Sequence, residues 1–462
     1  MKYANVPEML NALRACLQPT NGGVKVTNPA LLRTEYVDHL VCTAVFGDEE
    51  PRAAARWLIW QAAWELGIKS GSIDSLYQAR ARAEYDKATV PAVNVRGMAY
   101  DTARALVRAA RAKDCGAFIF ELARSEMGYC FQSCEEYATV VTAASIREGH
   151  QGPIFIQGDH YQANAKRYGA DPEKEIEGLR ALVREAIAAG YGNIDIDTST
   201  LVDLGPESIE EQQRHNYERC AELARLVRQI EPPGVTISIG GEIGEVGKHN
   251  STVPELKAFL DGFDRLWDGS RGLSKVSVQT GTSHGGVVLP DGTIAKVKID
   301  FDTLRDLGEV ARQYGLGGAV QHGASTLPAE AFGHFPRVGT LEVHLATEFQ
   351  NIAYDGGHFP KELKEEINQW CRENCQDEAK EGETDEQFVY KTRKKAWGPF
   401  KQRVWDLPDE TRAAIGRDLQ DKFEFLMEQL GVRNTRDLVA TYVKPVRIDK
   451  PMPQSLKAGV AA

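Results

Sequence analysis

The 462-residue sequence lacks the features that mark several large classes of protein. It has no apolar run approaching the roughly eighteen residues that a membrane helix needs, and its N-terminus carries no signal-peptide pattern. Its eight cysteines include no CxxC pair. We therefore expect a cytoplasmic protein with reduced, buried thiols, in which Cys130 and Cys134 are at best a weak alternative metal site.

The sequence also has fewer positive than negative charges, and it lacks a nucleotide-binding motif. The chain has 55 Lys and Arg residues against 66 Asp and Glu residues, which gives a net charge of -11. This balance disfavours nucleic acid or an anionic membrane as the main partner. No P-loop pattern for nucleotide phosphates is present. With 42% hydrophobic and 26% charged residues, the composition is that of an ordinary globular protein.

The middle of the chain alternates between short β-type segments and segments of helical periodicity. The predicted strands are 90–95, 116–120, 153–158, 193–197, 235–242, 275–281, 318–322 and 339–345. Eight repeats of strand followed by helix predict a closed (β/α)8 TIM barrel of the α/β class, with helical N-terminal and C-terminal extensions.

We predict three parts of the chain. They are a helical N-terminal extension at 1–87, the barrel at 88–358 and a helical C-terminal extension at 359–462. The tryptophan-rich segment 53–64 is most simply a core or interface face. The basic run 391–395 is typical of a solvated helix face, although it could also supply cations to the site of a neighbouring subunit.

Three histidines lie at the carboxyl ends of separate predicted strands. They are His160, His284 and His322. In a parallel barrel these ends meet on one face, where barrel enzymes keep their active sites. Three imidazoles suit a catalytic Zn²⁺ with an open fourth position, although Co²⁺, Fe²⁺ or Mn²⁺ would also fit such a site. The sequence therefore predicts a divalent-metal centre at the barrel rim.

The motifs at these strand ends resemble those of the class II, metal-dependent fructose-bisphosphate/tagatose-bisphosphate aldolase family. The similar segments follow the family's order along roughly residues 88 to 355, and both flanks lie outside the resemblance. The segments are 89–95, 121–128, 158–160, 195–199, 241–244, 281–285, 322–325 and 346–348. One such segment would be weak support, whereas the ordered series is specific.

The resemblance implies that the same three histidines hold the metal, with Asp197 and Glu242 near an alternative metal position. These two acids could instead be hydrogen-bonding groups of the barrel mouth. The resemblance also implies that Asp159 transfers the proton of the C4 hydroxyl, although it could instead orient His160. The positions implied for substrate or phosphate are Asn94, Ser125, Gly285, Gly323, Ser325, Ala346 and Thr347. The glycines among them could also serve only as turn residues.

Two departures from the family pattern stand out. The family usually has an acidic pair where this chain has Gly247–Asn250, so the loop carboxylate that exchanges a proton is missing, and Glu245 or His249 would have to replace it. The family also usually has Asn where this chain has His344. Leu341, Val343 and Leu345 share one strand face, so His344 should point into the barrel, either as a catalytic group or further ligand or as a hydrogen-bonded core residue.

Three functions follow as alternatives. The first is a metal-dependent aldolase of a phosphorylated ketose such as fructose or tagatose bisphosphate, with no Schiff-base lysine and a place in carbohydrate metabolism such as glycolysis. The second is a ketose C4-epimerase that uses the same retro-aldol step, or an aldolase of a related sugar. The third is a non-catalytic barrel subunit. The expected ligand is a sugar or sugar phosphate. Because members of the family commonly form dimers or tetramers, the resemblance also implies a homo-oligomer.

Overall fold

The computed structural model describes residues 2–244, 249–281, 289 and 299–460, without the side chains of 458–460. The part that precedes the barrel is mainly helical. Its helices are α1 (Val6–Leu13), α2 (Pro29–Leu31), α3 (Val37–Phe46), α4 (Glu49–Glu65) and α5 (Asp74–Ala81). Its strands are β1 (Leu17–Thr20), β2 (Gly23–Val26) and β3 (Ile68–Gly71), of which the first two form an antiparallel hairpin.

Eight parallel strands then close into a barrel. They are β4 (Val90–Asn94), β5 (Ile119–Ala123), β6 (Gly152–Gln162), β7 (Asn193–Asp197), β8 (Ser238–Gly244), β9 (Lys275–Val278), β10 (Ala319–Gln321) and β11 (Glu342–Leu345). The ring closes because β11 pairs with β4, and β3 adds to the start of β6 outside the ring. The predicted TIM barrel is confirmed.

Helices surround this ring. They are α6 (Ala99–Ala112), α7 (Arg124–Cys130), α8 (Cys134–Arg147), α9 (Ala165–Ala170), α10 (Pro172–Ala189), α11 (Ile209–Ile230), α12 (Val253–Leu266), α13 (Phe301–Gln313), α14 (Ala329–Phe332), α15 (His334–Arg337) and α16 (Thr347–Asp355). Local signals set their ends. Helix α10 starts where Asp171 caps the amide of Lys174 before Pro172, and it ends at Gly190 with φ of 102°.

The chain after the barrel is helical and packs on both earlier parts. Its helices are α17 (Lys361–Asn374), α18 (Asp385–Thr392), α19 (Lys401–Trp405), α20 (Asp409–Gln429), α21 (Arg436–Tyr442) and α22 (Gln454–Val460). Trp57 and Trp60 of α4 donate their indole N–H groups to the carbonyls of Lys450 and Ile448. The tryptophan-rich face is therefore a packing face. The division at 88 and 358 stays our proposal.

Strands β5, β8 and β11 each start three residues later than predicted, and for β5 the C-terminal part explains the difference. The backbone N–H groups of Gly116 and Ala117 donate to Thr435 Oγ1 at 3.1 and 3.2 Å. Strand β5 accordingly begins at Ile119 instead of residue 116. Pairing within the chain's own sheet is thus replaced at this end by a contact from a distant segment.

Two compositional expectations can be compared with the described residues. No helix among them combines the length and the apolar character that crossing a membrane requires. All eight cysteines are free, and all except Cys42 are buried. The described groups of side chains that could hold a metal ion contain no cysteine, so Cys130 and Cys134 offer no such site here.

Candidate functional site

His160 occupies an irregular position in strand β6. The strand was expected to end at residue 158, but it continues to Gln162, and its pairing with β7 shifts between Gly158 and Tyr161. His160 has φ of 42°, which a residue other than glycine rarely adopts. Successive residues of a regular strand point to opposite faces. The bulge lets both Asp159 and His160 line the cavity at the barrel mouth.

Acidic side chains surround the imidazole of His160. Its Nδ1 lies 3.1 Å from Asp197 Oδ2 and 3.2 Å from Glu242 Oε2, and its Nε2 lies 3.8 Å from Asp159 Oδ1. Burial opposes a positive charge here, yet the Asp159 and Glu242 carboxylates hold the pKa of His160 well above its ordinary value. The pocket therefore favours a cation at this point.

His322 follows strand β10, as the sequence predicted, and stands in a row with two other histidines. Its ring centroid lies 4.0 Å from that of His160 and 4.1 Å from that of His344. Its Nε2 lies 2.9 Å from Ser277 Oγ, and its Nδ1 lies 4.0 Å from Asp159 Oδ1. The three imidazoles thus share one wall of the cavity.

His160, Glu242 and His322 each offer a ligand atom, and these atoms lie within 4.8 Å of one another. Two imidazoles and a carboxylate are a donor set that suits a catalytic Zn²⁺. The residues that the structure places together therefore fit a divalent metal. His284, Gly285 and Glu245 lie outside the described residues, so the third predicted histidine ligand, one predicted phosphate contact and the loop acid remain predictions.

Asp159 lies among the three histidines and is buried. Besides its contacts with His160 and His322, its Oδ1 is 3.0 Å from His344 Nδ1. A carboxylate in this position can accept a proton from a sugar hydroxyl held beside the metal and pass it to an adjacent imidazole. The geometry also permits the other role considered for it, which is to orient His160.

His344 points into the barrel, as its strand pattern predicted. Its Nε2 lies 2.6 Å from Glu342 Oε1, and its Nδ1 lies 3.0 Å from both Asp159 Oδ1 and Glu121 Oε2. Burial opposes protonation, but the Glu121 and Asp159 carboxylates raise the pKa of His344 well above its ordinary value. Both ring nitrogens face carboxylates, which suits a proton-handling role, and His344 also belongs to two groups of side chains that could hold a metal ion.

The sequence analysis missed the layer of polar side chains below the histidines. Lys275 of strand β9 is fully buried, and its ammonium contacts Gln157, Asp195 and Glu342. Burial and the carboxylate of Asp159 raise the pKa of Glu121 to about 8. The alternation of side chains along strand β9 could have revealed Lys275. Residues 275 and 277 share one strand face, and Ser277 contacts His322.

The cavity above these groups has a volume of about 1010 Å³. All the predicted substrate positions within the described residues line it, namely Asn94, Ser125, Gly323, Ser325, Ala346 and Thr347. The C-terminal part covers one side of it through Lys380–Glu383, Gln387, Tyr390, Lys391 and Lys394. The basic run is therefore not simply a solvated helix face, because Lys391 and Lys394 lie at the mouth of their own chain's barrel.

Comparisons with known proteins agree with this architecture. No curated protein matches the sequence. Among solved structures, fructuronate-tagaturonate epimerase UxaE from Cohnella laeviribosi is 12% identical with a TM-score of 0.52, over 84% of this chain and 86% of that one. A probable tagatose 6 phosphate kinase from Sinorhizobium meliloti 1021 is 16% identical with a TM-score of 0.50, over 81% and 97%.

The fructose-bisphosphate aldolase from Campylobacter jejuni is 17% identical with a TM-score of 0.48, over 79% of this chain and 97% of that one. At such identities the likenesses to UxaE and to the probable tagatose 6 phosphate kinase concern the fold alone. The family assignment comes from the sequence model for fructose-bisphosphate aldolase class-II, which matches residues 74–396 and so covers well over half of the 462 residues. The chain belongs to the class-II fructose-bisphosphate aldolase family.

Proposed function

We propose that this protein is a metal-dependent enzyme that cleaves and re-forms the C3–C4 bond of a ketose carrying a phosphate or another anionic group. One observation carries the proposal: Asp159 Oδ1 lies within 4.0 Å of a nitrogen of each of His160, His322 and His344, beside a ligand set for a divalent cation. A proton acceptor next to a metal site is what a retro-aldol reaction requires.

His160, His322 and Glu242 would hold the metal together with the predicted His284, and Asp197 would orient His160 through its Nδ1. Zn²⁺ is the first candidate, with Co²⁺, Fe²⁺ and Mn²⁺ as alternatives. When bound, the metal supplies polarisation of the C2 carbonyl and stabilisation of the charge that develops there. Asp159 would take the proton from the C4 hydroxyl, and His344 would hold or return it through Nδ1.

The cavity wall supports an anionic substrate. Ser325 and Thr347 offer hydroxyl groups, Thr347 also opens helix α16, and Gly323 with φ of 67° allows a close approach of the backbone. Arg96 and Lys394 line the same cavity and add cationic groups. We propose that these hydroxyl, backbone and cationic groups hold the anionic group of the ketose.

Buried Lys275 does not change the proposed chemistry into that of a Schiff-base aldolase. A nucleophilic amine needs a free lone pair and space for the carbonyl carbon. The three N–H groups of the Lys275 ammonium are taken by three acceptors, and the side chain is 0% exposed. A charged, fully bonded lysine of this kind is not available as a Schiff-base nucleophile.

The second candidate is a C4-epimerase, and His344 favours it. An aldolase must protonate the carbon that the bond cleavage leaves behind, whereas an epimerase needs only to return the hydroxyl proton after the aldehyde has rotated. His344 stands 3.0 Å from both Asp159 and Glu121 and can keep that proton inside the site. UxaE, which shares the fold, is itself named a fructuronate-tagaturonate epimerase.

Product analysis tests the proposal. The purified protein, loaded in turn with Zn²⁺, Co²⁺, Fe²⁺ or Mn²⁺, would be incubated with fructose 1,6-bisphosphate, tagatose 1,6-bisphosphate and the corresponding hexuronates. Triose products identify an aldolase, and a C4 epimer without trioses identifies the epimerase. The metal-loaded protein giving neither product with any of these ketoses would contradict the proposal and favour the non-catalytic alternative.

A further inference from the structure

Beneath the three histidines lies a group of side chains that we call the inner cluster, which consists of Tyr77, Gln157, Asp195, Lys275 and Glu342. All of them are buried, and Gln157, Lys275 and Glu342 are 0% exposed. Large branched aliphatic side chains usually fill a barrel interior at this level. A charged cluster in that place therefore requires an explanation.

Every donor of Lys275 is used within the inner cluster. Its Nζ donates to Gln157 Oε1 at 2.7 Å, to Asp195 Oδ2 at 3.0 Å and to Glu342 Oε1. An ammonium group has three N–H donors, so this count leaves none over. The backbone makes room for the arrangement, because a Cβ at Gly240 would lie 2.4 Å from Asp195 Oδ1.

Glu342 is equally well bound, and all its neighbours are donors. Its Oε1 accepts from Lys275, from Gln157 Nε2 at 3.0 Å and from His344 Nε2 at 2.6 Å, and its Oε2 accepts from the Tyr77 hydroxyl. A carboxylate in this environment has no reason to carry a proton itself. The hydrogen between Glu342 and His344 therefore belongs to His344 Nε2.

This assignment determines which way the imidazole of His344 faces. With Nε2–H anchored on Glu342, the other nitrogen, Nδ1, is the one directed at the reaction site. It lies 3.0 Å from Asp159 Oδ1 and 3.0 Å from Glu121 Oε2. A 180° rotation of the ring about the Cβ–Cγ bond would put carbon atoms in place of both nitrogens and would break the short charge-assisted bond to Glu342.

We propose that Lys275 and Glu342 form a positioning pair for His344, which keeps the hydrogen on Nε2 and aims Nδ1 at Asp159. The inference rests on the proposed function in that His344 serves the reaction through Nδ1. Neither Lys275 nor Glu342 lines the cavity, so they act on the reaction only through the imidazole. Groups that orient a site residue in this way typically change activity by about 10- to 100-fold when they are removed.

A contribution to stability does not by itself explain why Lys275 and Glu342 are charged. The desolvation of two buried charges is expensive, and replacing a buried ion pair by uncharged residues of similar volume is often neutral or stabilising. Removing one partner is different, because it leaves the other charge buried and uncompensated, which is strongly destabilising. Comparing the variant that lacks one partner with the variant that lacks both therefore distinguishes a positioning role of the pair from a purely structural role.

The test compares Lys275→Met, Glu342→Gln and the double variant Lys275→Met/Glu342→Gln, which removes one charge of each sign. Asp74→Asn is the control, because Asp74 is a buried acid paired with Arg271 at 3.0 Å and does not line the barrel-mouth cavity. We expect the double variant to regain the stability that Lys275→Met loses, but to keep kcat about 10- to 100-fold below the wild type with KM and metal content unchanged. Asp74→Asn should keep the wild-type kcat.

A second readout needs no substrate. Nitrogen-15 spectra of the histidine rings in the Zn²⁺-loaded protein, with His344 assigned through its Asn variant, report which ring nitrogen carries hydrogen. We expect Nε2 to carry hydrogen in the wild type, whether or not Nδ1 is protonated as well, and to lose it in part of the molecules of the double variant. Unchanged spectra, or a double variant with kcat within threefold of the wild type, would overturn the inference. Changed spectra in a protein that turns over no ketose would support the positioning and contradict only the proposed function.

Discussion

The two sides of the cavity are built in opposite ways. Its floor, the inner cluster below the histidines, is buried, and its central cation, Lys275, has all its donors taken by the protein. Its roof, the segment 380–394, brings Lys394, which forms no ion pair with any residue that the structure describes. The cation of the floor is thus fully bonded to protein groups without a substrate, whereas Lys394 of the roof can still form an ion pair with an anionic substrate.

Trp397, just after the roof in the chain, fixes the position of the roof on the barrel. Trp397 stacks on Tyr354 with ring centroids 4.5 Å apart, and its indole N–H donates to Gln350 Oε1. A Cβ at Gly97 would lie 2.3 Å from the Trp397 ring, so only glycine allows this contact. Burial and the nearby Arg96 cation lower the pKa of Lys394, which is the situation that a bound anion would relieve.

The largest effect should come from the metal site that both sides enclose. Removal of metal by a strong chelator should abolish turnover, because in the proposed mechanism the metal is the group that stabilises the charge developing at the ketose carbonyl. His322→Ala should lose metal and turnover together. Metal content and product formation would be measured on the same samples. Full activity after chelation, or trapping of substrate by borohydride, would rule out the metal mechanism.

The next largest effect should follow a change at the proton acceptor. Asp159→Asn keeps the size of the side chain but removes the base, so we expect kcat to fall by roughly 10²–10⁴-fold. Metal content should remain at the wild-type level, since Asp159 is not one of the proposed ligands. A rate within about tenfold of the wild type would show that Asp159 only orients His160.

A smaller effect is expected where the floor meets the site. His344→Asn should preserve the fold and metal binding, since the carboxamide is also polar and fits the space of the ring. Because the amide cannot hold a proton as an imidazole does, the ratio of cleavage to C4 epimerisation should shift by about tenfold. The measurement is a time course of both products. An unchanged rate and ratio would leave His344 as a packing residue.

The smallest effect should distinguish the roof from ordinary surface charge. Lys394→Gln should raise KM for an anionic ketose about fivefold, which corresponds to about 1 kcal/mol, with little change in kcat. The neighbouring Lys395→Gln is the matched control, because Lys395 is paired with Glu378 and does not line the cavity. Equal KM values for the two variants would remove Lys394 from the substrate contacts.

The barrel and much of its rim could be predicted because they follow from local periodicity. Strand direction alone put His322 at the mouth, and the alternation of Leu341, Val343 and Leu345 put His344 inside. The bulge at His160 could not be predicted, since nothing in Gly158–Tyr161 distinguishes a bulged strand from one that ends. The roof was missed for a different reason. The basic run 391–395 reads as a solvated helix face until tertiary contacts such as those of Trp397 are known.

The contact of Thr435 with Gly116 and Ala117, which precede strand β5, has a consequence for the biosynthesis of the protein. The backbone N–H group of Gly116 donates to the hydroxyl of Thr435, which is synthesised 319 residues later. At about 5–20 residues per second, a ribosome needs roughly 15–60 s to reach that position. During this interval the segment that leads into strand β5 lacks its native partner, so we expect the nascent chain to depend on protection from aggregation until Thr435 has emerged.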